Sequence, residues 1–99
     1  MAEYKLTNKA VEDLSKIWDY IFEVWSEKQA DKYYDGLISN CEEIAENPEL
    51  GKNYKEISKQ LLGVKANRYI IFYRTLEKNY VEITRILHER MDLKERITE

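Results

Sequence analysis

Apolar residues recur at close to helical spacing through the first 25 residues of the chain, after a short segment, residues 2–6, that can form a strand. Thr7 or Asn8 can cap the start of the helix with a side-chain oxygen. The apolar positions are Ala10, Val11, Leu14, Ile17, Trp18, Ile21, Phe22 and Trp25. This pattern predicts an amphipathic helix that buries one broad face.

A second helix is predicted to follow after a short joint. Ser26-Glu27-Lys28-Gln29 has the form of a capping box, and Asn47-Pro48 ends the helix because proline disfavours a helical residue before itself. Its apolar face contains Ala30, Tyr33, Tyr34, Leu37, Ile38, Cys41, Ile44 and Ala45. Since the joint is short, the two helices should form an antiparallel hairpin.

The rest of the chain changes from helical to β-forming composition. Residues 48–59 show neither period, which predicts a loop that crosses back over the hairpin and is held by Leu50, Tyr54 or Ile57. Residues 61–66, 68–75 and 80–87 are rich in β-formers and separated by short polar turns, which predicts an antiparallel meander. Residues 91–97 can add a short final helix.

These elements predict an α+β fold of order β-α-α-β-β-β. The helical hairpin should pack on one face of the small antiparallel sheet, because both the sheet and the helices have an apolar face to bury. We find no repeat or linker, so residues 1–99 should form a single domain.

Composition agrees with such a domain. The 99 residues are 43% hydrophobic and 12% aromatic, which is enough for a modest core without a disulfide, metal or cofactor. The single cysteine, Cys41, cannot form an internal disulfide, and no apolar leader or membrane span is visible, so we expect a cytoplasmic protein without membrane association. Eight tyrosines and two tryptophans favour an interface with a partner protein.

Charge is unevenly divided along the chain. Residues 1–60 carry 8 lysines and 13 acidic residues, and residues 61–99 carry 8 basic and 6 acidic residues, so the net −3 divides into −5 and +2. All arginines follow residue 60, where they could recognise carboxylate or phosphate groups. A pI near 5.3 argues against a protein that coats nucleic acid.

The junction after the last predicted strand holds the candidate chemistry. His88 could be a base, a partner contact or a residue that hydrogen-bonds the backbone; with no second histidine, a metal site is not expected. Strict alternation places Arg85 with Val81, Ile83 and Leu87 on the buried face and Ile86 on the other. Unless a bulge reverses this order, Arg85 should be structural, paired with the carboxylate of Asp13 or Asp92.

Several motifs, in order, resemble the ParE branch of the RelE/ParE toxin superfamily over nearly the whole chain. They are Thr7-Asn8-Lys9-Ala10, Asp13-Leu14, Ile17-Trp18, Trp25-Ser26-Glu27 with Gln29-Ala30, Asn47-Pro48 with Gly51, Ile71-Phe72-Tyr73-Arg74 and the closing Arg85-Ile86-Leu87-His88-Glu89-Arg90-Met91-Asp92. The resemblance implies the toxin of a type II toxin-antitoxin pair that inhibits DNA gyrase by binding and is neutralised by a ParD-like antitoxin. In this interpretation the chain is not an enzyme and does not by itself bind nucleic acid sequence-specifically.

The same resemblance implies which residues contact the target and which contact the antitoxin. Target contacts are expected at Arg68, Arg74, His88, Arg90, Met91, Lys94 and Arg96. Antitoxin contacts are expected at Trp18, Tyr20, Ile21, Trp25, Tyr33, Tyr34 and Leu37, although aromatic residues at helical spacing are more often core.

Two alternatives stay open. The chain could be a RelE-like ribosome-dependent mRNA endonuclease, for which His88, Glu89, Arg85, Arg68 and Tyr69 are the candidate catalytic groups. Against this, RelE-like enzymes are strongly basic and carry a tyrosine near the C-terminus, whereas this chain is acidic and has Met91-Asp92 after Arg90. Tyr69 also stands where similar sequences often place a histidine, which leaves His88 as the one imidazole and argues against a mechanism that needs two. The chain could instead be a non-toxic module that binds an antitoxin. The sequence also leaves open whether the free toxin is a homodimer.

Overall fold

A computed structural model of the protein describes residues 2–77 and 80–98. Its elements are β1 (Glu3–Leu6), α1 (Asn8–Val24), α2 (Glu27–Glu46), a 3₁₀ turn (Pro48–Leu50), β2 (Lys52–Asn53), β3 (Leu62–Ala66), β4 (Tyr69–Glu77), β5 (Tyr80–His88) and α3 (Leu93–Ile97). The predicted fold class and element order are confirmed. In the described ranges, no helix has the length and apolar character needed to cross a bilayer.

Both predicted helix starts are present. The Thr7 hydroxyl accepts a hydrogen bond from the Ala10 backbone N–H at 3.1 Å, and the Ser26 hydroxyl accepts one from the Gln29 N–H at 3.1 Å. Each therefore satisfies an amide that the helix itself leaves unpaired. The Thr7 hydroxyl also donates to the Thr84 carbonyl at 2.8 Å, which fixes the start of α1 against β5.

The sheet has five strands in the order β1-β5-β4-β3-β2. The strands β2 to β5 pair antiparallel, whereas β1 pairs parallel with β5, so Leu6 lies opposite Ile83. The sheet is therefore mixed. The helices α1 and α2 carry the chain from β1 at one edge to β2 at the other, and the antiparallel strands that follow return it until β5 lies beside β1.

The helical hairpin packs on one face of the sheet and encloses the first core. The helix residues in this core are Ala10, Leu14, Ile17 and Ile21 of α1 and Ala30, Leu37, Cys41, Ile44 and Ala45 of α2. Val11, Phe22 and Trp25, predicted as part of the buried stripe, are instead 48%, 44% and 69% exposed, and Tyr34 is 39% exposed. The buried stripe is narrower than predicted, because the sheet covers only one side of α1.

A second, smaller core lies on the opposite face of the sheet. It contains Leu61, Ile70, Phe72 and Leu87, with Tyr54, Ile57, Leu93 and Ile97 packed against it. Tyr54 and Ile57 do hold residues 48–59, as predicted. The predicted path over the hairpin is wrong, however: β2 extends the sheet, and Leu50 is 46% exposed.

A β-bulge in β5 changes which side chains face each core. Phe72 lies opposite Arg85 and Tyr73 opposite Ile83, so Thr84 has no residue opposite it in the register, although its hydroxyl donates to the Phe72 carbonyl at 3.2 Å. The extra residue places Ile86 in the first core and Leu87 in the second. The strict alternation predicted for this strand is therefore wrong beyond Ile83.

Candidate partner-binding groove

The turn between β3 and β4 brings an arginine to one end of the sheet. Asn67 has a φ of 58°, in the left-handed region that asparagine tolerates better than most residues. The short turn places Arg68, which is exposed, directly before Tyr69 at the start of β4. The Arg68 carbonyl accepts a hydrogen bond from the Glu89 backbone N–H at 2.8 Å. This end of β4 is thereby joined to the segment that leaves β5.

His88 lies opposite Tyr69 at the same end of the sheet. The two rings meet edge to face, with centroids 5.4 Å apart. The Nδ1 atom of His88 accepts a hydrogen bond from the Arg90 backbone N–H at 3.1 Å. In the neutral ring the proton therefore belongs on Nε2, and His88 presents a hydrogen-bond donor at that atom.

Two adjoining cavities of about 260 and 290 Å³ open beside this pair, and both are lined by Tyr20, Tyr69 and His88. One extends past Trp25 and Tyr33 to Arg68, and the other passes Lys16 and ends at Met91. We call the combined surface the aromatic groove and define it by Lys16, Tyr20, Trp25, Tyr33, Arg68, Tyr69, His88 and Met91. Burial raises the pKa of the Tyr69 phenol, with smaller contributions from Tyr20 and Tyr33.

Positive charge predominates around the aromatic groove. Lys16 and Arg68 line it, and the lining carboxylate, Asp13, is bound by Arg85. The carboxylate of Glu89 lies near Arg68, but Lys65 binds it at 3.1 Å. That contact with Lys65 is the main reason why the pKa of Glu89 is lowered, and Arg68 and His88 lower it further. The groove therefore offers donors to an incoming acceptor-rich group.

The ion pair between Arg85 and Asp13 predicted from the sequence is present. The Nε of Arg85 donates to Asp13 at 2.9 Å, and its Nη2 donates to the other carboxylate oxygen at 3.1 Å. Asp13 also accepts from the Ile86 backbone N–H at 3.0 Å, on the stretch of β5 that β1 does not reach. Asp92 plays a different part, since it caps α3 by accepting from the Glu95 N–H at 3.1 Å.

The expected target residues divide into three locations. Arg68, His88 and Met91 line the aromatic groove. Arg90, Lys94 and Arg96 are exposed on the segment after β5, and Leu93 and Ile97 pack α3 against the second core. Arg74 is not brought together with them, because its Nη2 donates to the Ser58 hydroxyl at 2.8 Å.

The expected antitoxin residues also do not form one surface. Tyr20, Ile21, Trp25 and Tyr33 line the aromatic groove, although only 5% of Ile21 is exposed, and Leu37 is buried in the first core. Trp18 and Tyr34 line a separate hollow between the helices, where the Trp18 indole donates to Asp31 at 3.0 Å and stacks on Phe22.

Sequence reasoning did not identify Lys16 and Lys65 as residues of this region. Helical spacing could have found Lys16, because it lies four residues before Tyr20 on α1. Lys65 becomes relevant only through the strand pairing that brings it near Glu89. Among the described residues, no group of three or more His, Cys, Asp or Glu side chains could hold a metal ion.

Comparisons with known proteins agree with this architecture. The family model described as the ParE toxin of type II toxin-antitoxin system, parDE, matches residues 4–93. The chain is 30% identical over 92 residues to Toxin ParE1 of Mycobacterium tuberculosis and 33% identical over 92 residues to Toxin ParE1 of Caulobacter vibrioides. Each alignment covers 93% of this chain and 94% of the relative.

A solved structure shares the fold. The structure titled "Chromosomal ParDE TA system from P. aeruginosa" superposes with a TM-score of 0.76 at 19% sequence identity. The superposition covers 89% of this chain and 96% of that one.

Proposed function

This chain belongs to the ParE toxin family of parDE type II toxin-antitoxin systems, and from that premise we propose that it inhibits DNA gyrase by binding. A ParD-like antitoxin neutralises it by covering part of its surface. Gyrase and this antitoxin act in the bacterial cytoplasm, where the reduced Cys41 thiol is compatible with the environment.

The observation that supports a binding function most directly is the composition of the aromatic groove. Trp25 is 69% exposed, Tyr20 61% and Met91 42%; Tyr20 and Trp25 share a cavity with Arg68 and His88, and Met91 shares the adjoining cavity with His88. Tryptophan, tyrosine, methionine and arginine are the residues enriched where proteins bind one another. Exposed apolar side chains that cluster beside polar groups mark surfaces at which proteins bind partners.

The geometry of His88 supports a function without catalysis. A general base at this position would need a free nitrogen lone pair to take a proton from a ribose 2′-hydroxyl. In the neutral ring, Nδ1 already accepts from the Arg90 N–H and Nε2 carries the proton. Two of the other candidate groups are also engaged, since Arg85 binds Asp13 and Glu89 binds Lys65, whereas Arg68 and Tyr69 line the aromatic groove.

We assign the gyrase contacts to the basic side chains after β5. Arg90, Lys94 and Arg96 are exposed there, and α3 carries the latter two while resting on the second core through Leu93 and Ile97. The segment is thus held against the domain with its cationic side chains outward. His88 and Met91 extend this surface into the aromatic groove.

The test is a gyrase supercoiling assay with purified chain, relaxed plasmid and ATP. We expect inhibition and an increase in cleaved plasmid. The double variant Arg90→Ala/Lys94→Ala should require at least roughly tenfold more protein for the same inhibition, as expected for interface residues that contribute strongly. The matched control is Lys55→Ala/Lys59→Ala, which removes two exposed charges from the loop beside the second core and should leave inhibition unchanged.

A ribosome assay with the same preparation, and induction of the chain in bacteria, distinguish the alternatives. Cleavage of messenger RNA on translating ribosomes, with gyrase unaffected, would show that the chain is a RelE-like ribonuclease. Absence of growth inhibition on induction, with antitoxin binding retained, would show a non-toxic antitoxin-binding module. Either result would contradict the proposed function.

A further inference from the structure

We propose that Arg85 is a positioning residue for target binding, because its guanidinium joins α1 to α3 and so fixes where Lys94 and Arg96 are presented. This inference rests on the proposed function and deepens it, since it names the residue that holds two of the proposed gyrase contacts in place. The Arg85 side chain is only 11% exposed. It therefore acts through α3 and not by touching the target.

The guanidinium of Arg85 divides its donors between two helices. Its Nε and Nη2 bind the two carboxylate oxygens of Asp13 on α1, at 2.9 and 3.1 Å. Its Nη1 donates to the backbone carbonyl of Arg96, in the last turn of α3, at 2.6 Å. Because the guanidinium is planar and its N–H groups have a fixed geometry, the two bonds to Asp13 fix the direction in which Nη1 points. The end of α3 is thereby placed relative to α1.

The position of Arg85 in the sheet explains how one side chain reaches both helices. The strand β1 ends at Leu6, opposite Ile83, and so it does not pair with β5 where Arg85 lies. The bulge at Thr84 directly precedes Arg85, and bulges redirect the side chains beside them. The helix α1 packs on the face that bears the first core, whereas α3 packs on the second core. From the edge of β5, the guanidinium contacts an element on each face.

The shortness of α3 makes such an attachment important. It has five residues, whereas isolated helices shorter than roughly 12–15 residues are marginal in water. Leu93 and Ile97, four residues apart on one face of α3, pack against the second core, but apolar contact has no preferred direction. The hydrogen bond from Arg85 to the Arg96 carbonyl is directional and charge-assisted. It adds the constraint on orientation that apolar packing lacks.

The two ends of α3 are held by different side chains. At its start, the Asp92 carboxylate accepts from the Glu95 N–H. At its end, the Arg96 carbonyl is among the last four carbonyls of the helix, which have no amide within the helix to bind, and an arginine side chain can satisfy such a group. Lys94 and Arg96 are exposed between these attachments. A helix held at both ends presents them in a defined orientation.

A lysine at position 85 would separate positioning from charge. The ion pair with Asp13 alone would explain a purely structural arginine, whose loss affects only the stability of the domain. Lysine keeps the positive charge, but its ammonium is a compact group that lacks the planar fork needed to bind both Asp13 oxygens and the Arg96 carbonyl together. Arg85→Lys therefore weakens the link between the two helices while it preserves the counter-ion of Asp13.

Amide hydrogen exchange measured by NMR reports the effect on α3 directly. The Arg96 N–H donates to the Asp92 carbonyl at 3.0 Å and the Thr98 N–H to the Lys94 carbonyl at 3.2 Å, so both amides report opening of α3. In Arg85→Lys both should exchange at least roughly tenfold faster, as expected for the loss of a charge-assisted hydrogen bond. The Trp25 N–H, which donates to the Ile21 carbonyl at the end of α1, should keep its rate. Unchanged exchange at Arg96 and Thr98 would overturn the proposal.

Gyrase inhibition connects the position of α3 to function. Arg85→Lys should require at least roughly tenfold more protein for the same inhibition, because the same hydrogen bond is lost. Ile44→Val is the control for stability, since it removes one methyl group from the first core without contacting α3. Glu82→Gln is the control for a lost ion pair, because Glu82 on β5 pairs with Lys5 at 3.5 Å. Inhibition reduced equally in the controls and in Arg85→Lys would contradict a positioning role.

The unaltered protein provides a test that does not depend on the folding of a variant. With isotopically labelled arginine, the guanidinium protons of Arg85 should show nuclear Overhauser contacts to the backbone of Arg96 and Ile97. Contacts to Asp13 without contacts to α3 would overturn the proposal. If the unaltered protein does not inhibit gyrase, the proposed function fails, while these contacts and the exchange rates still decide whether Arg85 holds α3.

Discussion

Individual side chains in this protein bind backbone groups that lack a partner on a neighbouring strand. The strand β1 ends at Leu6, opposite Ile83, so it no longer pairs with β5 beyond that point, where the Thr7 hydroxyl donates to the Thr84 carbonyl at 2.8 Å. Further along the same edge, the Asp13 carboxylate replaces a strand partner by accepting a hydrogen bond from the Ile86 backbone N–H. Arg85 neutralises the charge of that carboxylate. One carboxylate thus satisfies an open strand edge that would otherwise invite pairing with another chain.

Replacing Asp13 with asparagine should be strongly destabilising. The side chains of Asp13 and Arg85 are only 9% and 11% exposed, so the change would leave a nearly buried guanidinium without its counter-ion. We expect the free energy of unfolding to fall by about 3 kcal/mol, as measured by urea denaturation. Glu12→Gln, on the exposed neighbouring position, should change it by less than about 0.5 kcal/mol. Equal effects of the two variants would contradict this role for Asp13.

The secondary-structure elements show where packing overrides local preference. Gly36 lies within α2 although glycine is a poor helix former, and a Cβ added there would meet nothing within 4 Å. Gly63 lies within β3, where a Cβ would come within 3.1 Å of Ile70 and 3.2 Å of Tyr54. The first glycine is open to substitution, whereas the second allows Tyr54 to pack closely against the sheet.

Alanine substitutions should therefore have opposite effects at these two positions. Gly36→Ala should raise the free energy of unfolding by about 0.5–1 kcal/mol, because alanine restricts the unfolded chain and favours the helix. Gly63→Ala should lower it by about 1–3 kcal/mol through overpacking of the second core. Thermal and urea unfolding of the two variants measure the difference, and a loss of stability in Gly36→Ala would contradict it.

Four weakly acidic side chains, one thiol and three phenols on three elements, are buried or half-buried in the folded protein. Burial raises the pKa of the Cys41 thiol on α2 to about 12, and Glu42 adds to the effect. Burial also raises the pKa values of Tyr4 on β1 and of Tyr69 and Tyr73 on β4. Each of these groups keeps its proton longer in the folded state than in the unfolded chain. Together these groups make the free energy of unfolding of the whole protein depend on pH.

Stability should accordingly fall as the pH becomes alkaline. Because the folded-state pKa values are raised, this contribution is fully present below the unfolded values, near 9.0 for Cys41 and 10.0 for the tyrosines, and is lost as pH rises toward the folded values. We expect the thiol alone to lower the free energy of unfolding by about 1 kcal/mol between pH 8 and pH 10. Urea denaturation across this range, with Cys41→Ala as the control that lacks the thiol, measures it. A steeper fall in Cys41→Ala than in the parent protein would contradict the assignment.

Much of the fold was accessible from local patterns. The caps at Thr7 and Ser26, the end of α2 before Pro48 and the three long strands each depend on residues close in sequence, so spacing and propensity were sufficient. The Arg85–Asp13 pair was also predicted, because a buried arginine needs a carboxylate and Asp13 lies on the first helix. The exposure of Val11, Phe22 and Trp25 was missed, because spacing shows which residues share a helix face but not how far the sheet extends over it.

The candidate groove could be anticipated only in part. Composition identified the aromatic residues of the hairpin and the cations that follow residue 60 as two separate groups, since each group is local in sequence. Their meeting around Tyr69 and His88 depends on strand register and on a hairpin that packs on one face of the sheet. The packing of the hairpin on the sheet also decides which of the expected antitoxin residues line the groove and which line the hollow beside Trp18.

Local sequence therefore specified the type and order of the elements, their caps, and the division of the chain into an acidic first part and an arginine-containing second part. These properties depend on residues that are close together in sequence. The bulge at Thr84, the two-sided core, the path of residues 48–59 and the shared groove arose only when distant segments packed together. Contacts such as that between Arg85 and Asp13, 72 residues apart, form only once the whole sheet has its register. A shift of one residue in the pairing of a strand would move each of its side chains to the opposite face of the sheet.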